Sequence, residues 1–328
     1  MKQILGIGNA LVDVMTMIND DNILEKFSLP KGSMQLVDNT KSVMIKSETL
    51  HYNRNLVSGG AAANTIHGLA MVGVKTGFIG SIGKDDMGDF FEKDMKKAGI
   101  KTMLSQRNSV TGTAVALISP DSERTFATHL GAAVELEAAD LDPEFFIGYD
   151  ILYLEGYLVI NKSLVDKACQ LAKEKKMKIA IDLSSYNVVE SNLDAFKEIV
   201  EKYVDIVFAN EEEARSFTGM EPEEALNTIS QVCEVAVIKV GSEGSWIRRG
   251  EEIVKIGTEQ VSVKDTTGAG DLYASGFLFG YANNLDLEKC GLLGSLMAGK
   301  VIEIIGSRMD ELMFEEIKET AKRIIECD

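Results

Sequence analysis

The run Asp265-Thr266-Thr267-Gly268-Ala269-Gly270-Asp271 stands directly before Leu272 to Asn283, an apolar stretch of helical character with small residues at Ala274, Ser275, Gly276 and Gly280. A glycine-rich turn entering a helix leaves backbone N–H groups unpaired at the positive end of the dipole, which makes a seat for an anion. Gly268 and Gly270 remove the side chains that would hold a phosphate away from the backbone, and Ala269 is nearly as small. Asp271 has a plain reading as a first-turn residue that complements the dipole. Beside a phosphate site its carboxylate has a second use, taking the proton from an attacking hydroxyl, because phosphoryl transfer otherwise needs mainly positioning and charge stabilisation.

Such a turn must be held at the edge of a rigid frame, and the rest of the chain reads as one. Short apolar runs at Ile4 to Gly8, Gly77 to Ser81, Ile151 to Leu154, Lys178 to Asp182, Ile206 to Ala209 and Val235 to Val240 read as strands. Amphipathic stretches at Asn64 to Val72, Met87 to Ala98, Ser163 to Lys175, Leu193 to Lys202 and Glu211 to Thr218 read as helices between them. This alternation predicts an α/β sandwich with a mainly parallel central sheet. Met15 to Ser58 and Gly112 to Leu130 break the rhythm. In the second, alternating residues Thr113 to Ser119 and Thr125 to Thr128 flank Pro120-Asp121-Ser122, a hairpin pattern. The expectation is a single domain over 1–328 with a small β-sheet lid built from about 14–58 and 108–130; an immobile extension of the main sheet is the alternative.

Composition removes several classes of function. The 328 residues are 45% hydrophobic with four prolines, enough apolar material for a large core. Net charge is −17, from 51 acidic against 34 basic residues, which repels nucleic acid unless a basic patch intervenes. The densest basic group, Lys173, Lys175, Lys176 and Lys178, reads as a solvated helix end. Cys169, Cys233, Cys290 and Cys327 are too scattered for a zinc site or a disulfide framework. No apolar run reaches the roughly 20 residues of a membrane span, and no signal-peptide core is visible. A cytoplasmic protein is expected, without nucleic-acid or membrane partners.

The run Asp265 to Phe277 resembles the C-terminal signature of the ribokinase-like, or PfkB, family at nearly every position. A second signature agrees with it: Gly59-Gly60-Ala61-Ala62-Ala63-Asn64, Gly73, then Gly80-Ser81-Ile82-Gly83-Lys84-Asp85-Asp86-Met87-Gly88. The resemblance implies a ribokinase-like three-layer α/β/α sandwich with a lid, the acceptor held between them, and ATP in a groove of the C-terminal third. It implies Asp271 as catalytic base and the backbone of Gly268, Ala269 and Gly270 as anion hole. Asn9, Asp13, Gly59, Gly60 and Asn64 match acceptor-binding positions. Asn210 and Glu213 match an N-x-x-E element that organises Mg2+ and phosphate, with Glu213 acting on the metal through water. Gly241 and Gly244 match a turn that borders the nucleotide. Two places before Gly241 the family often has threonine, and this chain has Lys239, which either contacts a phosphate or points to solvent. Parts of the family also bind K+ near the loop Asp265 to Thr267 through backbone carbonyls.

For the acceptor, Gly6-Ile7-Gly8-Asn9-Ala10-Leu11-Val12-Asp13, the long interval before Gly59, and Glu123-Arg124-Thr125 followed by Leu130-Gly131-Ala132-Ala133 look like the adenosine-kinase branch. Arg124 is a candidate to close over the transferred phosphate, with a surface hairpin arginine as its bland alternative. Tyr157 falls where that branch places an aromatic pair near the purine, but Leu158 takes the second place, and a core tyrosine is the competing reading. The expected reaction is ATP-dependent phosphorylation of the 5′-hydroxyl of adenosine; a free sugar such as ribose, fructose or 2-keto-3-deoxygluconate, or another nucleoside, is the alternative. Relatives suggest a monomer or homodimer. Gly6-Ile7-Gly8 also begins a dinucleotide fingerprint, yet its third glycine is replaced by Leu11. A silent binding protein would have lost Asp271 or the glycine turn, and neither is lost. The chain has no G-x-x-x-x-G-K-[ST] loop.

Overall fold

The computed structural model describes residues 1–121, 123–258 and 261–326. The expected turn residue Ser122 and the cysteine Cys327 lie outside the described residues. In chain order the strands are β1 (Ile4–Ile7), β2 (Leu11–Met17), β3 (Met34–Leu36), β4 (Arg54–Gly59), β5 (Thr76–Gly83), β6 (Lys101–Arg107), β7 (Gly112–Ile118) and β8 (Arg124–His129). They continue as β9 (Ile151–Glu155), β10 (Lys178–Asp182), β11 (Ile206–Asn210), β12 (Val235–Lys239), β13 (Ser245–Arg249) and β14 (Glu252–Ile256).

Nine of these form the main sheet, in the order β14-β13-β12-β11-β10-β9-β1-β5-β6. The pairs from β6 to β12 are parallel, and β13 and β14 add antiparallel at one edge. Parallel strands need both faces covered, and side-chain parity shows how this chain does it. Ile4, Ile151, Tyr153, Ala180, Phe208 and Val237 pack into one core with the helices Ala61–Met71, Ala269–Ala282 and Leu287–Val301. Leu5, Ile7, Leu152, Leu154, Ile181, Val207 and Ile238 pack into the other with Lys162–Glu174, Leu193–Tyr203 and Glu211–Thr218. The result is the expected three-layer sandwich. No helix among the described residues is long and apolar enough to cross a membrane, and the described cysteines are free thiols.

The central strands and the five expected helices lie within three residues of their anticipated bounds. The largest shift is at Ala61–Met71, which begins three residues before Asn64 because Gly60, at φ +99°, serves as its N-cap. Strands β6, β13 and β14 were not anticipated. They lie at the sheet edges or, for β13, next to one, where one face is partly solvated and the apolar run that marks a buried parallel strand is lost.

Five strands form a second sheet, β3-β8-β7-β2-β4, with the hairpin β7/β8 at its centre. It begins at Leu11, earlier than the composition break suggested, and its intervals carry the helices Asn22–Lys26 and Asn39–Glu48. Val14, Val115, Leu117 and Ala127 pack under those helices in a small core of their own. The opposite face carries Asp13, Met15, Phe126 and Arg124.

Glycines set how closely the layers approach. A Cβ on Gly276 would fall 2.1 Å from the carbonyl oxygen of Leu293, where the helices Ala269–Ala282 and Leu287–Val301 cross. Replacing Gly276 by Val should cost about 1–3 kcal/mol or more through overpacking against backbone; an unchanged urea midpoint would show that the helices can separate freely.

Candidate active site

The site is assembled at the carboxyl ends of the parallel strands, where open α/β sheets bind ligands. Glu155, Asp182 and Lys239 each end a strand and share the side-chain parity of the face covered by Ala269–Ala282. That helix brings Asp271 to the same place. A cleft of ≈ 1190 Å³ runs over these residues, lined among others by Tyr157, Asp182, Asn210, Glu213, Lys239, Gly241, Gly244, Gly268, Ala269, Gly270 and Asp271.

At the helix start Gly268 is the N-cap at φ +76°, a conformation that favours glycine. The N–H groups of Gly268, Gly270 and Asp271 have no hydrogen-bond partner among the described residues, whereas Ala269 donates to Thr266 O at 3.1 Å. The open donors are therefore Gly268, Gly270 and Asp271, and Ala269 is used in the turn itself. Lys239 points into the cleft. Its Nζ lies 2.8 Å from Asp182 Oδ2, and a Cβ on Gly270 would stand 3.0 Å from it. Burial opposes its charge, but Asp182, Glu213 and Asp271 together hold its pKa above the ordinary lysine value. Of the two roles open in the sequence, the solvent-pointing one is removed.

Asp271 accepts a hydrogen bond from Asn64 Nδ2 at 2.9 Å. Burial pushes its carboxyl up to about 7; Asp182 and Glu155 add to the rise, and Asn64 and Lys239 oppose it. This is the range in which a carboxylate both exists and accepts a proton effectively near neutrality. Asp13 sits against Gly59, where a Cβ would fall 2.4 Å from its Oδ1, and burial raises it to about 6 against the pull of Arg308. Gly60 passes so close to Asn9 that a Cβ would fall 2.1 Å from the Asn9 carbonyl oxygen. The anticipated group Asn9, Asp13, Gly59, Gly60 and Asn64 is thus brought together next to Asp271.

Glu155 was missed, although it anchors Asn9 of this group. It is 2% exposed and accepts from Asn9 Nδ2, Asn9 N and Ala62 N. A Cβ on Gly8 would fall 2.4 Å from its Oε2, and one on Gly6 would strike Ile66. The pair Gly6 and Gly8 therefore makes room for a packed helix and a buried carboxylate, which accounts for the partial dinucleotide pattern. The only sequence signal for Glu155 was a charged residue closing an apolar strand. Asp182 was missed for the same reason.

Asn210 and Glu213 form a capping box at the start of Glu211–Thr218. Asn210 Oδ1 accepts from Glu213 N, and both Glu213 carboxylate oxygens accept from Asn210 at 2.8 and 2.9 Å. Burial, with Asp182 nearby, holds Glu213 above the usual carboxylate range. Gly241 and Gly244 turn β12 into β13 at φ +52° and +96°, and a Cβ on Gly244 would meet Ile256 O at 1.9 Å. Tyr157 faces the cleft, with its hydroxyl donating to Ser184 O at 3.4 Å. Arg124 is no surface residue. It is 8% exposed, donates from Nη1 to Thr267 Oγ1 at 2.9 Å, and forms an ion pair with Asp265. The small sheet is thereby tied to the loop that precedes Asp271.

A model of the pfkB family of carbohydrate kinases matches residues 33–311. The chain belongs to the PfkB family. The structure of adenosine kinase from Sinorhizobium meliloti is 33% identical to this PfkB protein, with a TM-score of 0.87 over 97% of this chain and 99% of the other. That of a probable sugar kinase from Rhizobium etli CFN 42 is also 33% identical, with a TM-score of 0.87 over 98% of each chain. The adenosine kinase of Saccharomyces cerevisiae is 29% identical over 324 residues, 92% of this chain and 94% of the relative. This PfkB chain is an ATP-dependent kinase that acts on a hydroxyl group, and kinases of its family use ATP with magnesium.

Keeping Asp271 ionised in this site costs stability. The cost is absent below about pH 4, where folded and unfolded chains are both protonated, grows as pH rises, and is complete above about 7. Asp271→Asn should therefore raise the thermal midpoint at pH 8, with a gain that shrinks towards pH 4. A pH-independent shift, or a loss at pH 8, would contradict burial as the cause.

Proposed function

We propose that this kinase phosphorylates the 5′-hydroxyl of a nucleoside, adenosine, and that Asp271 removes the hydroxyl proton. The observation that carries the acceptor is the face of the small sheet that holds Asp13 and Arg124. Strand register aligns Met15, Ala116, Phe126 and Met34 across that face, with Leu36 one row away beside Thr128. Met34 is 53% and Leu36 65% exposed. A flat purine has apolar faces suited to methionine, leucine and phenylalanine, whereas a free sugar engaged by Asp13 would leave those side chains without an apolar partner.

In this reading Asp13, Asn9 and Asn64 hold the ribose hydroxyls, with Gly59 and Gly60 giving the backbone close approach. Asp271, poised near neutrality, accepts the proton as the oxygen attacks. The open N–H groups at the helix start, with Lys239, stabilise charge on the transferred phosphate. Asn210, Gly241 and Gly244 shape the nucleotide side of the cleft, and Tyr157 its inner wall. Arg124 carries lid closure through its bond to Thr267, and the small sheet of residues 11–59 and 112–129 moves as a lid within one domain.

The donor set was weighed for magnesium. Among the described residues no group of three or more His, Cys, Asp or Glu could cage a metal. Asp182 and Glu213 nevertheless line the cleft, and both are already hydrogen-bonded. That suits an ion held chiefly by phosphate oxygens and water, with Glu213 acting through water. When bound, magnesium would neutralise phosphate charge and orient the leaving group.

A free sugar is the second reading, favoured by the equal identity of the probable sugar kinase structure. A panel of adenosine, inosine, ribose, fructose and 2-keto-3-deoxygluconate with ATP and magnesium, in sodium and in potassium buffers, separates the two. Adenosine should be preferred; a clear preference for any free sugar would overturn the nucleoside assignment. With the best acceptor, Asp271→Asn should lose about 100-fold to 10,000-fold in kcat. The acid limb of kcat/KM should fall through about pH 7 as Asp271 protonates. Turnover like that of the unaltered enzyme would remove Asp271 from the role. Phe126→Ser with Met34→Ser should raise KM for adenosine by about 10-fold and leave KM for ATP unchanged, as expected for lost apolar contact.

A further inference from the structure

Three consecutive residues after the helix Leu287–Val301 each grip a different part of the site. Gly306, at φ +89°, donates its N–H to Asp265 Oδ2 at 2.6 Å. Ser307, 4% exposed, donates to Asn64 Oδ1 at 3.1 Å. Arg308 donates from Nη2 to the carbonyl oxygen and, at 2.7 Å, to the hydroxyl of Ser58, which itself donates to Asp94 Oδ2. Ser58 immediately precedes Gly59 and Gly60. The other guanidinium nitrogens, Nε and Nη1, are inaccessible and have no partner among the described residues.

A buried guanidinium with two of its three nitrogens lacking hydrogen-bond partners is costly, so its site must return something. We propose that Ser307 and Arg308 are positioning residues for phosphoryl transfer, Ser307 acting on Asp271 through Asn64, and Arg308 acting on Asp13 and the Gly59–Gly60 turn through Ser58. The proposal rests on the roles given above to Asp271 and Asp13.

The Ser307 arm follows from the two ends of one amide. Asn64 offers Nδ2 to Asp271 only while Oδ1 is turned the other way, and the hydroxyl that receives Oδ1 belongs to Ser307. Reversed, the amide would set its oxygen against the carboxylate, which is tolerable only if Asp271 is protonated. Ser307 thus favours the ionised base. The groups facing that base are Asn64, Lys239, Asp182, Glu155, Arg308, Tyr153 and Tyr157, and of these Asn64 alone is hydrogen-bonded to the Ser307 hydroxyl. A Cβ on Gly268 would also fall 2.7 Å from Ser307 Cβ, so the same residue abuts the helix start.

The Arg308 arm is steric and electrostatic. Strand β4 pairs with β2 so that Val57 stands opposite Asp13 and Ser58 opposite Val12. Fixing Ser58 from both sides, by Arg308 and Asp94, fixes the glycine turn against which Asp13 rests. The titratable groups around the guanidinium are Asp94, Asp13 and Asp271, and His67, whose pKa is pushed well below the usual histidine value by burial and by Arg308 itself.

The arms have separable signatures. Ser307→Ala should lower kcat about 10-fold, raise the acid-limb pKa of kcat/KM, and leave KM for ATP unchanged. Arg308→Met should raise KM for the acceptor about 10-fold or more with kcat nearly unchanged, and Arg308→Lys should recover part of that loss. Titration of the Asp271 carboxyl by NMR in the ligand-free protein checks the first arm without any acceptor: upward in Ser307→Ala. Thermal midpoints screen out unfolding. If Asp271→Asn is inactive but Ser307→Ala keeps the unaltered pH profile and carboxyl titration, the first arm is wrong. If Arg308→Met keeps the unaltered acceptor KM, or loses affinity for ATP equally, the second is wrong. If Asp271→Asn is itself active, the functional reading fails first.

Discussion

Four carboxylates and one ammonium lie largely buried together in and beside a single cleft, and most of the structure answers to that imbalance. Asp182, Glu213 and Asp271 line the cleft with Lys239, and Glu155 is buried close to them; Glu155 and Asp182 stand at strand ends, Glu213 and Asp271 at helix starts. Too few positive charges are present to hold all four ionised, so burial and mutual repulsion raise Glu155, Glu213 and Asp271. Each carboxylate is then given N–H donors that keep it in place: Asn9 and Ala62 for Glu155, Ser184 for Asp182, Asn210 for Glu213, Asn64 for Asp271. A fold that tolerates such a cluster does so for a reason other than stability.

The helix Ala269–Ala282 makes the cluster useful. Its open N–H groups are fixed partial positive charge that needs no counter-ion, and they face the carboxylates across a gap that a phosphate can fill. Because the helix packs through Gly276 on Leu287–Val301 and through Thr65 and Ser275 on Ala61–Met71, its start is held from two sides. Preorganisation of this kind removes the cost of reorienting dipoles as charge moves.

The small sheet joins this assembly at Asp265 as well as at Ser58. Arg124 touches Asp265 and Thr267, and Asp265 is also held by Gly306. Asp265 is thus a junction where the sheet, the glycine loop and the segment after Leu287–Val301 meet. One ion pair, from Arg124, and two N–H donors, from Thr267 and Gly306, converge on its carboxylate, so the position of each part is tied to that of the others.

The sequence alone determined the frame and the chemical type. Apolar runs of strand length between amphipathic stretches fixed the central parallel sheet, because burial on both faces leaves that mark on composition. Gly268 to Asp271 was legible as a glycine-rich helix entrance, and Gly59 to Asn64 through its match to the family's N-terminal signature. Only the tertiary structure could decide the partners. Asn64 and Asp271 lie 207 residues apart, and Ser307 and Asn64 lie 243 apart. Glu155 and Asp182 read as ordinary strand ends, and Arg308 as one more charge near a helix. Their meaning comes from strand parity and register, which place them on the face of Asp271. Lys239 and Arg124 were open between solvent and site for the same physical reason: a long side chain at a strand end shows its direction only when the neighbouring strands and the opposing sheet are in place.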